Sequence, residues 1–157
     1  EIASVGHGEG IKVERSILIE RNPEELYRFW RNFENLPQFM QDVKSVTVTS
    51  PNHSHWIALG PAGKTIEWDA VVHHEIPNES IAWRSVEGSD IDHAGTVLFR
   101  QTVEGFTEVK IVLNYAPPAG KVGEAFLEIF GKEPGTRLEQ DLRRLKEMME
   151  PATVAHS

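Results

Sequence analysis

The chain has 157 residues, a formal net charge of −8 and no cysteine. That length suits one domain with a core of its own, and the absence of thiols excludes disulfides, thiolate metal sites and a cysteine nucleophile. The acidic balance argues against nucleic acid, where affinity comes from Lys and Arg meeting phosphate, and against docking on an anionic bilayer. In chain order, residues 1–10 carry three glycines and no hydrophobic period, and read as a flexible arm. Ile11 to Glu20 alternates around Val13, Ile17 and Ile19 as a first strand. Asn22-Pro23-Glu24-Glu25 is a helix start, with an N-cap Asn, Pro at the first helical position and acids in the first turn. The helix runs to about Arg31 on a stripe of Leu26, Phe29 and Trp30, and a short turn around Pro37 follows, with Leu36, Phe39 and Met40 inward.

Six further strands come at the spacing of an antiparallel meander: Val43–Thr49, His53–Leu59, Thr65–Ile76, Ser80–Val86, Gly95–Val103 and Phe106–Tyr115. The breaks between them are turn chemistry, such as Ser50-Pro51-Asn52, Pro77-Asn78 and Glu104-Gly105. From Val122 the apolar residues return at helical spacing, first through Phe126 and Phe130, then through Leu138, Leu142, Leu145 and Met149. Pro134 should kink this long helix between Gly131 and Gly135, and residues 151–157 read as a disordered tail. The domain therefore spans 11–150 in an α+β arrangement, a curved antiparallel sheet of about seven strands (β-α-α-β6-α) wrapped on the C-terminal helix.

The two-residue period of strands assigns the faces. Ile66, Trp68, Ala70, Val72 and Ile76 share one face with His74, while Glu67, Asp69, His73 and Glu75 share the other, solvated one. Trp56 and Ala58 point in, as do Ile81, Trp83 and Ser85, with His53, His55 and Arg84 outside. Gly95, Val97 and Phe99 line up inward, and so do Val109, Ile111, Leu113 and Tyr115. The concave face is thus wide, aromatic and lightly polar.

These residues resemble a known family. The chain is similar to the polyketide cyclase/dehydrase-type branch of the START-like (SRPBCC, helix-grip) superfamily over about Lys12 to Glu150. The resemblance rests on Pro23-Glu24-Glu25-Leu26-Tyr27-Arg28-Phe29-Trp30, Phe33-Glu34-Asn35-Leu36-Pro37-Gln38-Phe39-Met40 and Glu67-Trp68-Asp69-Ala70. It continues through Ile81-Ala82-Trp83-Arg84-Ser85, Tyr115-Ala116-Pro117-Pro118-Ala119-Gly120 and Asp141-Leu142-Arg143-Arg144-Leu145-Lys146, none of which is a catalytic motif. It implies a bacterial helix-grip protein with an elongated hydrophobic cavity between the sheet and the C-terminal helix. It further implies a cytoplasmic location, with proximity to the inner face of the membrane through a segment preceding Glu1 as a further expectation. No apolar run in the chain approaches the ~20 residues that span a bilayer.

Four constellations compete for function. The inner aromatics, with Trp30, Trp56, Trp68, Ala70 and Trp83 joined by Phe99, Ile111, Tyr115, Phe126 and Phe130, can grip a flat or long apolar ligand through their faces and orient it through indole N–H groups. The same rings can equally fill the core. His73 and His74 do not chelate one ion, because strand neighbours point to opposite faces, and no set of three or four ligands is evident around His53 and His55. No metal or cofactor is expected. His74 is the weak candidate for a rim acid/base. The Gly88–Gly95 segment, with Asp90, Asp92 and His93, reads better as a solvated turn than as a catalytic lid. Arg84 with Glu67 and Asp69 reads as outward cross-strand ion pairing.

Three functions stand. The first is binding or transfer of a hydrophobic small molecule (lipid, quinone or polyketide-like) with no chemistry required. The second is an aromatase/cyclase-dehydratase acting on a poly-β-keto chain, for which His74, Tyr115 and Arg15 are the inward ionisable groups. The third is a protein-interaction module with a packed core. The oligomeric state is open between monomer and homodimer.

Overall fold

The structure, a computed structural model, describes residues 11–59, 63–89, 91–116 and 134–150. The strands are β1 (Ile11–Ile19), β2 (Val43–Ser50), β3 (His53–Leu59), β4 (Thr65–Ile76), β5 (Ser80–Ser85), β6 (Asp92–Val103) and β7 (Phe106–Ala116). They form one seven-stranded antiparallel sheet in the order β1-β7-β6-β5-β4-β3-β2. β1 and β2, consecutive in sequence, are therefore its two edges. Helix α1 (Pro23–Arg31) and a 3-10 turn (Phe33–Gln38) carry the chain from one edge to the other across the inner face. Helix α2 (Pro134–Met149) packs on that same face beside β1.

α1 forms where Asn22, in extended backbone, lets its carbonyl accept the Glu25 and Leu26 amides while Pro23 takes the position whose amide has no helical partner. The Asn22 side chain makes no capping bond. Leu26 and Trp30 are buried as the apolar stripe, and Pro37 is accommodated inside the 3-10 turn with Leu36 and Phe39 buried on either side. On α2, Leu138, Leu142 and Leu145 recur at helical spacing and are buried. Its far end is tied to the first edge strand: Lys146 Nζ donates to the Leu18 carbonyl at 2.8 Å, and Glu150 accepts the Glu20 amide at 3.1 Å. Its near end is tied to the residues just before β2, where Arg137 Nη1 donates to Asp42 Oδ2 at 2.5 Å, and farther along the helix Arg144 Nη1 donates to the Phe39 carbonyl at 2.9 Å. The helix thus bridges the two edges of the concave face. The expected kink, Phe126 and Phe130 lie outside the described residues.

Two strand phases differ from the sequence expectation. In β4 the register shifts between Val72 and His74. The bulge adds one residue, so every side chain beyond it changes face. His74 and Ile76 are consequently exposed on the outer surface, and Glu75, expected in solvent, turns inward opposite Ile81. His74 is not a cavity-rim group. β6 begins at Asp92 rather than Gly95, so Asp92 and His93 belong to the sheet and not to a solvated turn.

Candidate functional site

The register aligns residues in rows across the concave face. One runs Val13, Leu113, Gly95, Trp83 and Val72, and its neighbour runs Ile11, Tyr115, His93, then Ser85, Ala70 and Ser54 on the far strands. Trp56 and Trp68 are direct partners on β3 and β4, their rings stacked at 5.6 Å and 24°. Trp83 continues the stack beyond Trp56, at 6.4 Å and 21°. Phe33 stands edge-on to Trp56 and Trp83, and Trp30 reaches down from α1 to lie 6.3 Å from both Trp83 and Phe99. Trp30, Trp56, Trp68, Trp83 and Phe99 are thus brought together and buried, with Ala70 and Ile111 buried in the same core. For Tyr115 only the strand position is described.

Filling is uneven. Over β2 to β5 the rings pack the face, with Val72 half-buried beside them. Toward the β1–β7 edge, Val13, Val109 and Ile111 are buried, whereas Ile11, Ile17 and Leu113 point the same way yet stay half-buried, and Arg15 beside them is exposed. Arg15 lies over the start of α2, where its guanidinium occupies the space a Cβ on Gly135 would need.

The polar groups on this face are few. Trp56 Nε1 donates to Ser54 Oγ at 2.9 Å. The indole N–H groups of Trp30 and Trp83 are buried and have no hydrogen-bond partner, although burying an unpaired donor costs about 1–3 kcal/mol. His93 is partly exposed as a residue, but its ring lies edge-on to Trp68 at 5.8 Å and to Trp56 at 6.3 Å. Its amide donates to Ser85 Oγ at 3.1 Å. Burial pushes the imidazole down to about 4, so at neutral pH it is uncharged and has one nitrogen able to donate and one able to accept. The sequence reading places His93 in a solvated turn, although the two-residue period running back from Gly95 puts it on the inner face.

At the other end of the face, the inward turn of β4 creates an anchor for α1. The Tyr27 hydroxyl donates to Glu75 Oε2, and Arg31 Nε donates to the same oxygen at 2.9 Å. Burial works to raise the Glu75 carboxyl, but these two donors outweigh it and hold it below the ordinary value; Tyr27 is pushed up to about 12 by burial and by the adjacent carboxylate. On the outer surface His55 sits between Asp69 and Glu67, at 2.9 Å from each, and its pKa is raised by those bonds. The expected outward pairing of Glu67 and Asp69 is therefore with His55. Among the described residues no group of three or more His, Asp and Glu could hold a metal ion, and no helix is long and apolar enough to cross a membrane. A separate open cleft of about 580 Å³ lies at the start of α1 between Pro23, Asn78 and Arg100, and Arg100 is already paired with Glu108.

A curved seven-stranded sheet gripping a C-terminal helix over an aromatic inner face defines a helix-grip fold. The family described as polyketide cyclase/dehydrase and lipid transport matches residues 19–143, and the chain belongs to it. An uncharacterised 17.2 kDa protein of Streptomyces lincolnensis is 30% identical over 141 residues, covering 88% of this chain and 89% of that one. A crystal structure from Deinococcus radiodurans is 33% identical with a TM-score of 0.72, covering 89% of this chain and 98% of the other. A START superfamily protein from Mycobacterium smegmatis shares the fold at 14% identity and a TM-score of 0.65, over 88% of this chain and 98% of its own.

Proposed function

We propose that this chain binds or transfers a hydrophobic small molecule, of lipid, quinone or polyketide-like character, on the concave face of the sheet, with no chemistry required. The observation that carries this is the uneven filling. Stacked rings pack the β2–β5 half, whereas Ile11, Ile17 and Leu113 leave apolar side chains half-covered at the β1–β7 edge. Apolar surface left partly open beside a packed core gains about 25 cal/mol per Å² when a ligand covers it. A ligand of this class partitions into bilayers, so membrane proximity belongs to the proposal, through exchange of ligand. Native mass spectrometry with organic extraction, on protein purified from its own cells, tests it. A stoichiometric hydrophobic adduct that is lost in Leu113→Trp, which fills the open end, is the expected result. A clean apo mass in both proteins, with no uptake of added lipid or quinone, would refute it.

One observation favours a second reading, an aromatase/cyclase-dehydratase. His93 presents an uncharged imidazole to the inner face beside Ser85, and such a group can relay a proton along a keto substrate. His93→Ala should then abolish turnover of a poly-β-keto substrate while leaving its binding intact; turnover that survives the change excludes the role.

A further inference from the structure

We propose that Trp83 selects the ligand: its Nε1–H holds an uncharged acceptor oxygen, a carbonyl or ether, on an otherwise apolar ring system. The inference rests on the binding reading above and deepens it. Trp83 is 1% exposed, and its Nε1 is buried without a hydrogen-bond partner. Trp56 shows what this fold does when an indole is to be satisfied from within, since Ser54, two residues away, supplies the acceptor at 2.9 Å. No such group is supplied to Trp83.

The orientation of the ring says where the missing acceptor lies. The indole rests directly on Gly95 of β6, with Cζ2 and Cε2 only 2.4 and 2.7 Å from where a Cβ would stand. Nε1 is bonded to Cε2, one of the two ring atoms nearest Gly95. The next residue along that row is Leu113 of β7, one of the half-covered side chains of the open end. Phe33, Trp30 and Trp56 enclose the ring from the other directions. The donor thus stands in a row between enclosing aromatic rings and the half-buried Leu113. Trp30 Nε1 is a second buried donor without a partner, on a ring 6.3 Å away.

The acceptor is uncharged for a physical reason. A carboxylate brought to a single indole donor among aromatic rings would lose its hydration without a compensating charge, and His93, whose ring lies against Trp56 and Trp68 on the same face, is neutral at pH 7. Arg15 lies farther toward β1, in the row of Ile111, and is solvent-exposed. A ketone or quinone oxygen satisfies the donor at little desolvation cost.

The test compares menadione with methylnaphthalene, which shares its fused rings and lacks the oxygens, by calorimetric titration of the full chain. The chain has no cysteine for the quinone to alkylate. Wild type should bind menadione roughly tenfold or more tightly than the hydrocarbon, the worth of pairing an orphaned buried donor. Trp83→Phe should bring that ratio close to one while hydrocarbon binding persists. Equal affinities in wild type, a ratio that survives in Trp83→Phe, or naphthoate binding more tightly than menadione would each overturn the inference and leave the binding reading standing. Binding of none of the three probes would sink the binding reading, and this inference with it. If Trp83→Phe does not fold, the indole N–H resonances of the four tryptophans in wild type decide. Menadione should shift the Trp83 signal downfield and leave that of Trp56 in place; an unmoved Trp83 signal overturns the inference.

Discussion

Replacing Gly95 by Ala should destabilise the protein, and the sign of the effect is the informative part. In a strand interior Gly is worse than Ala by roughly 0.5–1 kcal/mol, because it has more backbone freedom to lose. On propensity alone the substitution would stabilise. The new Cβ, however, would lie 2.4 Å from Trp83 Cζ2 and 2.7 Å from Cε2, far inside van der Waals contact. The indole cannot swing away, since Phe33 stands 5.5 Å from it and Trp30 and Trp56 within 6.4 Å. Overpacking of this kind costs about 1–3 kcal/mol, so a net loss on the order of 1–2 kcal/mol remains. Urea denaturation followed by circular dichroism should show a midpoint lowered by roughly 0.5–1 M with an unchanged slope. In a Trp83→Phe background the clashing ring atoms are absent, and the same Gly95→Ala change should be neutral or stabilising. An alanine that stabilises the wild-type background, or that costs the same in both backgrounds, would refute the close packing of Trp83 on β6.

Two further outcomes concern pH. Glu75, held below its ordinary value by Tyr27 and Arg31, stabilises the fold while ionised, so its contribution is present above about pH 4.5 and is lost as pH falls through the lower folded-state value. Glu75→Gln should cost about 1 kcal/mol at pH 7, since the pair is 26% exposed on each side, and should flatten the acid limb of a stability–pH curve; an unchanged limb would show that the anchor contributes nothing. Asp141 behaves oppositely. Burial on α2 raises its carboxyl to about 7 despite the Gln41 amide and Arg144 beside it. The folded state therefore keeps a proton that the unfolded state releases, and stability falls as pH rises from about 4 through 7, by roughly 1–3 kcal/mol. Asp141→Asn should remove this decline, and a proton titration of Asp141 centred near 4 by NMR would contradict it.

Much of the architecture is legible in the residues taken singly or in short runs. The turn dipeptides, the alternation of Val109, Ile111 and Leu113 and the helical stripe of Leu138, Leu142 and Leu145 are local signals, set by backbone sterics and side-chain period. The face assignments of Trp56, Trp68 and Trp83 follow from the same period and agree with their burial. His74 and Glu75 were not legible, because nothing in the run Val71 to Ile76 announces the extra residue of a bulge, and one unseen insertion inverts all that follows. His93 was legible in principle, since its phase with Gly95 is correct, but the turn residues before it drew the strand boundary too late.

By itself, then, the sequence determined the order of elements, the aromatic character of one face and the exclusion of thiol chemistry, all properties carried by neighbouring residues. Only the tertiary structure decided which indole found an acceptor and which did not. Ser54 lies two residues from Trp56, whereas Trp83 meets Gly95 and Leu113 only through the pairing of three strands. Whether a buried donor is satisfied depends on atoms brought to within about 3 Å by register, a distance that no local pattern encodes.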